Sequence, residues 1–150
     1  MSDGGDRDTR AFVGTWRLLT FALHDDAGNV YPVLGDDGAG YIVYTADGHV
    51  LVTIQARRPP AFADGDMLGG TDAEVRAAYA AYTSYTGTYV VRGEQVVHRV
   101  ERSLFPNWIG GEQARTYEFV GDRLVLTAAP TRIRGREARA SLVWERVASA

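Results

Sequence analysis

Short runs of apolar and β-branched residues, separated by turn residues, make up most of this chain. Within many runs apolar and polar residues alternate, as they do in strands with one buried face. Dipeptides such as Asp47-Gly48 between two such runs are typical of β-hairpins. The predicted strands are 14–24, 41–45, 49–55, 85–91, 95–103, 113–120, 123–127 and 139–147. Their number and regular spacing predict an all-β fold, either an antiparallel sandwich or a barrel. We prefer the barrel, because eight strands close around a space that can hold one small ligand.

One segment interrupts the β pattern. Residues 56–70 read as a long loop containing Pro59-Pro60, and long loops in small domains often act as lids. The sequence Thr71-Asp72-Ala73-Glu74 has the spacing of a capping box, which predicts a helix that continues to about Tyr82. Its apolar residues recur at helical spacing and predict a face that packs on the sheet. Those residues are Val75, Ala78, Tyr79 and Tyr82.

Composition places the chain among ordinary globular proteins. Hydrophobic residues make up 45% and charged residues 23% of the 150 positions, enough for one domain with a real core. Residues 1–10 are polar and predict a disordered lead, followed by one domain over 11–150. The lead contains no apolar run, so we expect no signal peptide and a cytoplasmic location. No stretch has the length of a membrane helix, so we expect no membrane partner.

The residue types that are present and absent exclude several classes of catalytic and metal site. The net charge is −3, and every one of the 16 basic residues is Arg, with no Lys and no Cys. Schiff-base lysine chemistry, thiol nucleophiles, P-loops and cysteine-ligated metals are therefore excluded. A mildly acidic chain gives no reason to expect nucleic acid as a partner. The three histidines are too far apart in sequence to predict a metal site, so we expect no cofactor.

Several motifs together resemble a known family. Gly14-Thr15-Trp16 contains the Gly-x-Trp of a lipocalin first strand, and the remaining motifs occur in matching order. They are Tyr31-Pro32, 40–48, 58–62, 85–89, 103–108, 121–124 and 142–146. This set resembles the lipocalin-like domain family of bacteria and fungi. The resemblance implies an eight-stranded lipocalin-like barrel with one short helix and a central cavity. It also implies that Trp16 plugs the closed end of the barrel, with Arg146 packed over it. One position departs from the family, which often has paired histidines where this chain has His98-Arg99.

The alternation of residues along the predicted strands indicates which side chains could take part in catalysis or ligand binding. In 95–103 the apolar face includes His98, which could act as an acid, a base or a hydrogen-bonding group. The alternative is a core histidine bonded to a neighbouring tyrosine. In 113–120 the aromatic face carries Arg115 and Tyr117, and Arg115 could bind a carboxylate or enolate oxygen. An internal ion pair or an exposed strand end is the alternative for Arg115. We predict His98, Tyr117 and Arg115 as catalytic residues if the protein is an enzyme.

Aromatic and polar residues on the predicted strands nominate a ligand site. Tyr combines an apolar ring with a polar tip, so a lumen rich in Tyr suits a hydrophobic ligand with a few oxygens. Thr53 and Gln55 could be polar contacts near one mouth or could lie on the outer face. The predicted ligand-binding residues are Tyr41, Tyr44, Thr53, Gln55, Tyr89, Trp108, Phe119 and Trp144.

The leading functional hypothesis is a binding protein for a hydrophobic, oxygen-bearing small molecule. The alternative is a cofactor-independent cyclase or isomerase of natural-product biosynthesis that uses the same cavity to hold a reactive conformer. A third class is a structural protein whose barrel is filled by its own side chains. A homodimer is left open.

Overall fold

The structure, a computed structural model, describes residues 9–32, 34, 38–133 and 135–148, with the side chains of Pro32 and Ile133 left out. Most of these residues belong to strands. The strands are β1 Gly14–His24, β2 Val30–Pro32, β3 Gly38–Tyr44, β4 His49–Ala56, β5 Tyr82–Arg92, β6 Gln95–Ser103, β7 Glu112–Val120, β8 Arg123–Ala128, β9 Thr131–Ile133 and β10 Arg136–Arg146. Helix α1 spans Asp72–Ala80, and a single 3₁₀ turn spans Pro106–Trp108.

The sheet closes on itself. Consecutive long strands pair antiparallel from β3 to β8, and β10 pairs with both β8 and β1. Pairing of Trp16 with Arg146 and of His24 with Arg139 joins the two ends of the sheet. Two of the ten described strands, β2 and β9, are three-residue additions that pair with β1 and β10. The fold is therefore a closed eight-stranded antiparallel barrel with one short helix, which confirms the predicted fold class.

The predicted strands agree with the observed ones to within a few residues at most ends. β5 begins at Tyr82, three residues before its predicted start, and β3 begins at Gly38. The two short strands were not predicted, because three residues are too few for alternation to show. Of the predicted disordered lead, only Thr9 and Arg10 lie within the described residues, and both belong to a helical turn at 9–12.

Large aromatic side chains fill one end of the barrel, which we call the closed end. The helical turn at 9–12 inserts Phe12, which is 0% exposed, among three aromatic rings from β3 and β7. Its ring centroid lies 5.2 Å from Tyr44, 4.9 Å from Tyr117 and 5.0 Å from Phe119. Such edge-to-face contacts add stability beyond the area that they bury. Aromatic rings in mutual contact therefore occupy the lumen at the closed end.

Arg146 holds the first turn against the last strand. Its guanidinium lies 4.1 Å from the centre of the Trp16 ring and donates to the carbonyls of Ala11 at 2.7 Å and Val13 at 2.8 Å. Trp16 Nε1 donates to the Phe12 carbonyl at 2.9 Å. The predicted cation–π pair is confirmed. The Trp16 indole N–H and the Arg146 guanidinium both have backbone carbonyls as acceptors.

Helix α1 differs from its prediction in one respect. The capping box is present, with the Thr71 side chain and Glu74 bonded to each other's backbone amides. The predicted packing of its apolar face is wrong, because no residue of α1 is buried and Val75 and Tyr79 are about half exposed. Tyr82 belongs to β5 and pairs with Gln55, so the helix lacks the residue that would extend its apolar face. No helix among the described residues is long and apolar enough to cross a membrane.

Candidate functional site

A cavity of about 370 Å³ occupies the lumen beyond the closed end. It extends from Trp144 in mid-barrel to Trp108 and to residues 129–131, where β8 leads into β9 at the end of the barrel opposite Trp16. The walls are mainly apolar. The apolar wall residues include Phe21, Ile42, Val52, Ile54, Leu126, Ala128, Ala140 and Leu142, and the polar ones include Thr83, Tyr85, His98, Gln113 and Arg115.

A gradient of side-chain size explains where the cavity lies. The inward residues of β10 shrink from Trp144 through Leu142 to Ala140 along the barrel axis, and all three are buried. Leu126 and Ala128 continue the same trend on β8. Because protein interiors are otherwise close-packed, small residues at one level of a barrel leave a void there.

His98 is the buried polar centre of this cavity. Alternation on β6 turns Val96, His98 and Val100 inward, as predicted, and His98 is 1% exposed. The Tyr44 hydroxyl lies 2.7 Å from His98 Nε2, and the Tyr85 hydroxyl lies 2.5 Å from Nδ1. Both ring nitrogens therefore have partners. His98 is bonded to tyrosine, as the alternative interpretation proposed, and it also lines the cavity. A role for His98 in ligand binding or catalysis stays a prediction.

Burial sets the ionisation of this cluster. Burial, with a smaller contribution from the positive charge of Arg115, lowers the pKa of His98 from 6.5 to about 3. Burial also raises the pKa of Tyr85 to about 12, and it raises the pKa of Tyr44 well above its ordinary value. At neutral pH all three groups are uncharged and serve as hydrogen-bonding groups.

Arg115 lines the cavity from β7 and has no carboxylate partner among the described residues. It is half-buried, and its guanidinium donates to the Gln113 side-chain oxygen at 2.8 Å and to the Ala114 carbonyl at 3.1 Å. Glu112 also lines the cavity, but its carboxylate bonds to Arg92 at 3.3 Å and lies 3.6 Å from Arg99. The cavity therefore holds a cation whose charge no described carboxylate neutralises.

Trp144 contributes a second unusual group to the wall. Its side chain is 1% exposed, and its Nε1 has no acceptor within the part of the chain that the structure describes. A buried donor without a partner costs about 1–3 kcal/mol.

The three predicted catalytic residues do not meet in one site. His98 and Arg115 line the cavity, but the Tyr117 hydroxyl donates to the Gly93 carbonyl at 3.0 Å and its ring packs on Phe12. Tyr117 therefore belongs to the closed end. The alternation on β7 was interpreted correctly, but alternation gives the face of a residue and not its depth.

The predicted ligand-binding residues divide into three groups. Trp108 and Trp144 line the cavity, and the Trp108 ring lies 5.9 Å from Tyr85, edge to face. Tyr44, Tyr89 and Phe119 face inward but pack below the cavity. Tyr89 donates to the Thr45 carbonyl at 2.9 Å, Tyr44 packs on Tyr89 at 4.8 Å, and Phe119 packs on Trp16 at 6.2 Å.

Tyr41, Thr53 and Gln55 lie on the outer face, so their assignment to the site is corrected. Tyr41 is 46% exposed, Gln55 is exposed, and the Thr53 hydroxyl donates to the Tyr82 hydroxyl at 2.9 Å. Strands β3 and β4 turn other residues inward, because two neighbouring residues of a strand cannot share a face. The inward residues are Ile42 and Tyr44 on β3 and Val50, Val52 and Ile54 on β4.

Sequence reasoning missed Tyr85 and the small wall residues. Tyr85 shares a face with Tyr89 on β5, so the alternation that nominated Tyr89 could have nominated it too. The alanines at 128 and 140 create the space, but a small apolar residue gives no sign of whether a neighbour fills that space. Within the described residues, no group of three His, Asp or Glu side chains could hold a metal ion.

A closed antiparallel barrel with an apolar lumen and a few convergent polar groups is the architecture of small ligand-binding barrels. The family model described as lipocalin-like domain matches residues 13–147. The chain therefore belongs to the lipocalin-like domain family, as its motifs predicted.

Two individual proteins are similar to this chain. The 4'-hydroxy-3'-methoxypropiophenone carrier protein ppsC of Aspergillus oryzae is 36% identical over 107 residues, which are 64% of this chain and 96% of that protein. A crystal structure of a variant of the fluorescent protein UnaG is 17% identical, with coverage of 91% of this chain and 96% of that one. Its TM-score is 0.40, so this likeness adds nothing to the functional argument.

Proposed function

We propose that this protein binds a small, mainly hydrophobic molecule with a few oxygens inside the barrel and carries it. The cavity is the observation that supports this proposal. It is mainly apolar, yet His98, Tyr85 and Arg115 meet at its polar side. A barrel with a purely structural role would fill this level with side chains, as the closed end does.

The size of the cavity limits the ligand. About 370 Å³ lies near the lower end of the roughly 300–1,000 Å³ typical of small-molecule sites. Trp144, Trp108 and Tyr85 give this space flat aromatic walls. These features favour a ligand built on one aromatic ring with short substituents over a long-chain lipid. The relative from Aspergillus oryzae is named as the carrier of such a molecule, an aryl ketone.

We favour a carrier over the cyclase or isomerase alternative because of the ionisation of the polar groups. General acid–base catalysis is most effective when the catalytic pKa lies near the working pH. The pKa of His98 is about 3 and that of Tyr85 about 12, both far from neutrality. Groups of this kind hold a ligand by hydrogen bonds but exchange protons poorly. Natural-product biosynthesis and a cytoplasmic location remain predictions.

The test is a binding titration with 4'-hydroxy-3'-methoxypropiophenone as the probe. Isothermal calorimetry and tryptophan fluorescence both monitor the binding. We expect one probe molecule per chain, and quenching because two tryptophans line the cavity. Ala140→Leu, which adds atoms to the cavity wall, should weaken binding at least tenfold. Arg139→Leu on the exposed face of the same strand is the matched control and should bind normally.

Mass analysis of the probe separates carrier from enzyme. Probe recovered unchanged after prolonged incubation supports the carrier. Conversion of more probe than protein present would contradict it. No saturable binding of this probe or of related aryl ketones and phenols would overturn the proposed function.

A further inference from the structure

We propose that the cavity takes its ligand as an anion, with Arg115 as the counter-ion of a deprotonated ligand oxygen such as a phenolate, enolate or carboxylate. This inference rests on the proposed function and names the ligand class of the same site. It comes from two separate observations, the unneutralised charge of Arg115 and a count of the protons around His98.

Arg115 is a half-buried cation that no described carboxylate neutralises. Its two hydrogen bonds go to the side-chain amide oxygen of Gln113 and to a backbone carbonyl. Both acceptors are neutral, so they position the guanidinium but do not neutralise its charge. A partly desolvated charge is stable only when it is paired or well hydrogen-bonded. Arginine also presents several donors in a fixed plane that suits an anionic oxygen.

The hydrogen-bond cluster around His98 contains one hydroxyl proton more than it can pair. A neutral imidazole has one N–H and one acceptor nitrogen, and both of its partners are tyrosine hydroxyls. One hydroxyl therefore donates to the ring and the other accepts from it. The proton of the accepting hydroxyl has no partner within this cluster, whichever tautomer is present.

Position decides which tyrosine keeps that proton. Tyr44 is 1% exposed and does not line the cavity, and its hydroxyl has no other described partner. Tyr85 lines the cavity. We assign Tyr44 as the donor to Nε2 and Tyr85 as the acceptor from Nδ1–H, so that the spare proton of Tyr85 faces the cavity. In the alternative, Nε2–H donates to Tyr44, and the buried Tyr44 hydroxyl proton has no acceptor among the described residues, which costs about 1–3 kcal/mol.

The polar side of the cavity therefore offers donors and a positive charge. The charged or titratable groups that face it are Arg115 and Glu112 from β7, His98 from β6 and Tyr85 from β5, while β8 and β10 present no charged or titratable residue there. Glu112 is engaged by Arg92 and Arg99. An acidic ligand that gives its proton to solvent would accept hydrogen bonds from both the Tyr85 hydroxyl and the Arg115 guanidinium. A neutral ether would leave the positive charge of Arg115 without a counter-ion.

The experiment compares three aromatic probes. The first is 4'-hydroxy-3'-methoxypropiophenone, whose phenol is made more acidic than that of tyrosine by the para carbonyl. The second is its O-methyl ether, which has the same skeleton but cannot ionise. The third is 4-hydroxy-3-methoxybenzoate, a carboxylate of similar size. Ultraviolet absorption reports the state of the bound phenol directly, because phenolates absorb at longer wavelength than phenols.

We expect the phenolate band to appear on binding at a pH where the free probe is neutral. The ether should bind at least about tenfold more weakly, as expected for loss of an interaction with a charged group. Arg115→Met should remove the phenolate band while Arg115→Lys restores part of it. Arg102→Met, a surface arginine on β6, is the matched control and should leave the band intact. A thermal melt of each variant checks that it is folded.

The outcomes separate the two proposals. Equal binding of phenol and ether without a phenolate band overturns the anion proposal and leaves the carrier proposal standing. A phenolate band that persists in Arg115→Met also overturns it, because another group would then supply the charge. Binding of the carboxylate alone supports the anion proposal and identifies the acid class. Failure of all three probes to bind overturns both proposals.

Discussion

The two ends of the barrel are built from the same strands but differ in how their interiors are filled. At the closed end, Phe12 and Trp16 fill the lumen, and the contacts of Arg146 and Trp16 satisfy the polar atoms around them. At the cavity, alanines replace the large side chains. Within the described residues, Arg115 has no carboxylate partner and Trp144 Nε1 has no acceptor. The comparison shows that strand alternation forms the barrel, while side-chain size along the axis decides where it can hold a ligand. We expect the closed end to control stability and the cavity to control binding.

The strongest test of this division is Trp16→Ala. It should lower the free energy of unfolding by about 3–5 kcal/mol, because a buried aromatic ring leaves a large void and Arg146 loses its stacking surface. Urea denaturation measures this change. Tyr41→Ala on the outer face removes a similar aromatic group and should cost much less. A small loss for Trp16→Ala would show that the closed end is not the main source of stability.

The opposite test fills the cavity. Ala140→Phe should weaken binding of 4'-hydroxy-3'-methoxypropiophenone at least about 100-fold, or about 2.7 kcal/mol, because the ring occupies the space of the ligand. Calorimetry measures the affinity. The same change at the outward Arg139 is the control. If Ala140→Phe binds normally, the ligand occupies another part of the molecule.

His98 lies between the two ends and should affect both. Replacing it with Phe leaves the Tyr44 and Tyr85 hydroxyls without their partner, so we expect a loss of about 1–3 kcal/mol at pH 7. Tyr44→Phe, which removes only one of these hydroxyls, is the milder comparison. Unchanged stability of His98→Phe would mean that the hydrogen bonds of this cluster contribute nothing net.

The pH dependence of stability gives a second measurement on the same variant. The pKa of His98 is about 3 in the folded state against 6.5 ordinarily, so the unfolded chain takes up this proton first as the pH falls. The stabilising contribution is complete above pH 6.5 and is lost between 6.5 and 3, by up to about 1.4 kcal/mol per pH unit. Urea melts at several pH values should show this slope in the natural protein and a smaller one in His98→Phe. Equal slopes would contradict the assignment of a neutral buried imidazole.

The smallest effect should come from the loop at 57–70, which lies outside both regions. Glu74 caps α1 and also accepts from the Ala63 amide at 2.9 Å, so Glu74→Ala should cost about 1 kcal/mol and speed proteolysis of the loop. Ligand affinity should not change, because no residue of this loop lines the cavity. Slower cleavage of the loop in the presence of ligand would instead support its prediction as a lid.

The sequence predicted the barrel well because eight alternating strands leave few other closed arrangements. It also placed His98 and Arg115 on inward faces, since period-two alternation is a local property. It could not give depth along the axis, which depends on strand register and tilt, and so Tyr117 and Phe119 were assigned to the site. Tyr41 was assigned to the wrong face because β3 carries apolar or aromatic residues on both faces between Tyr41 and Tyr44. Thr53 and Gln55, whose face the sequence pattern left open, alternate with the apolar Val52 and Ile54 and lie outside.

The contact between Arg146 and the first turn also bears on how the chain folds. Its two hydrogen bonds span 133 and 135 residues, so they form only when the whole domain has been synthesised. Contacts this distant in sequence slow folding, because a long loop must close before they form. A nascent chain that stops before residue 136 would leave the edges of β1 and β8 without the strand that joins them, and exposed edges invite aggregation. The final strand therefore completes the barrel only after the rest of the domain has been made, and a chain truncated at residue 135 should be less soluble than the full chain.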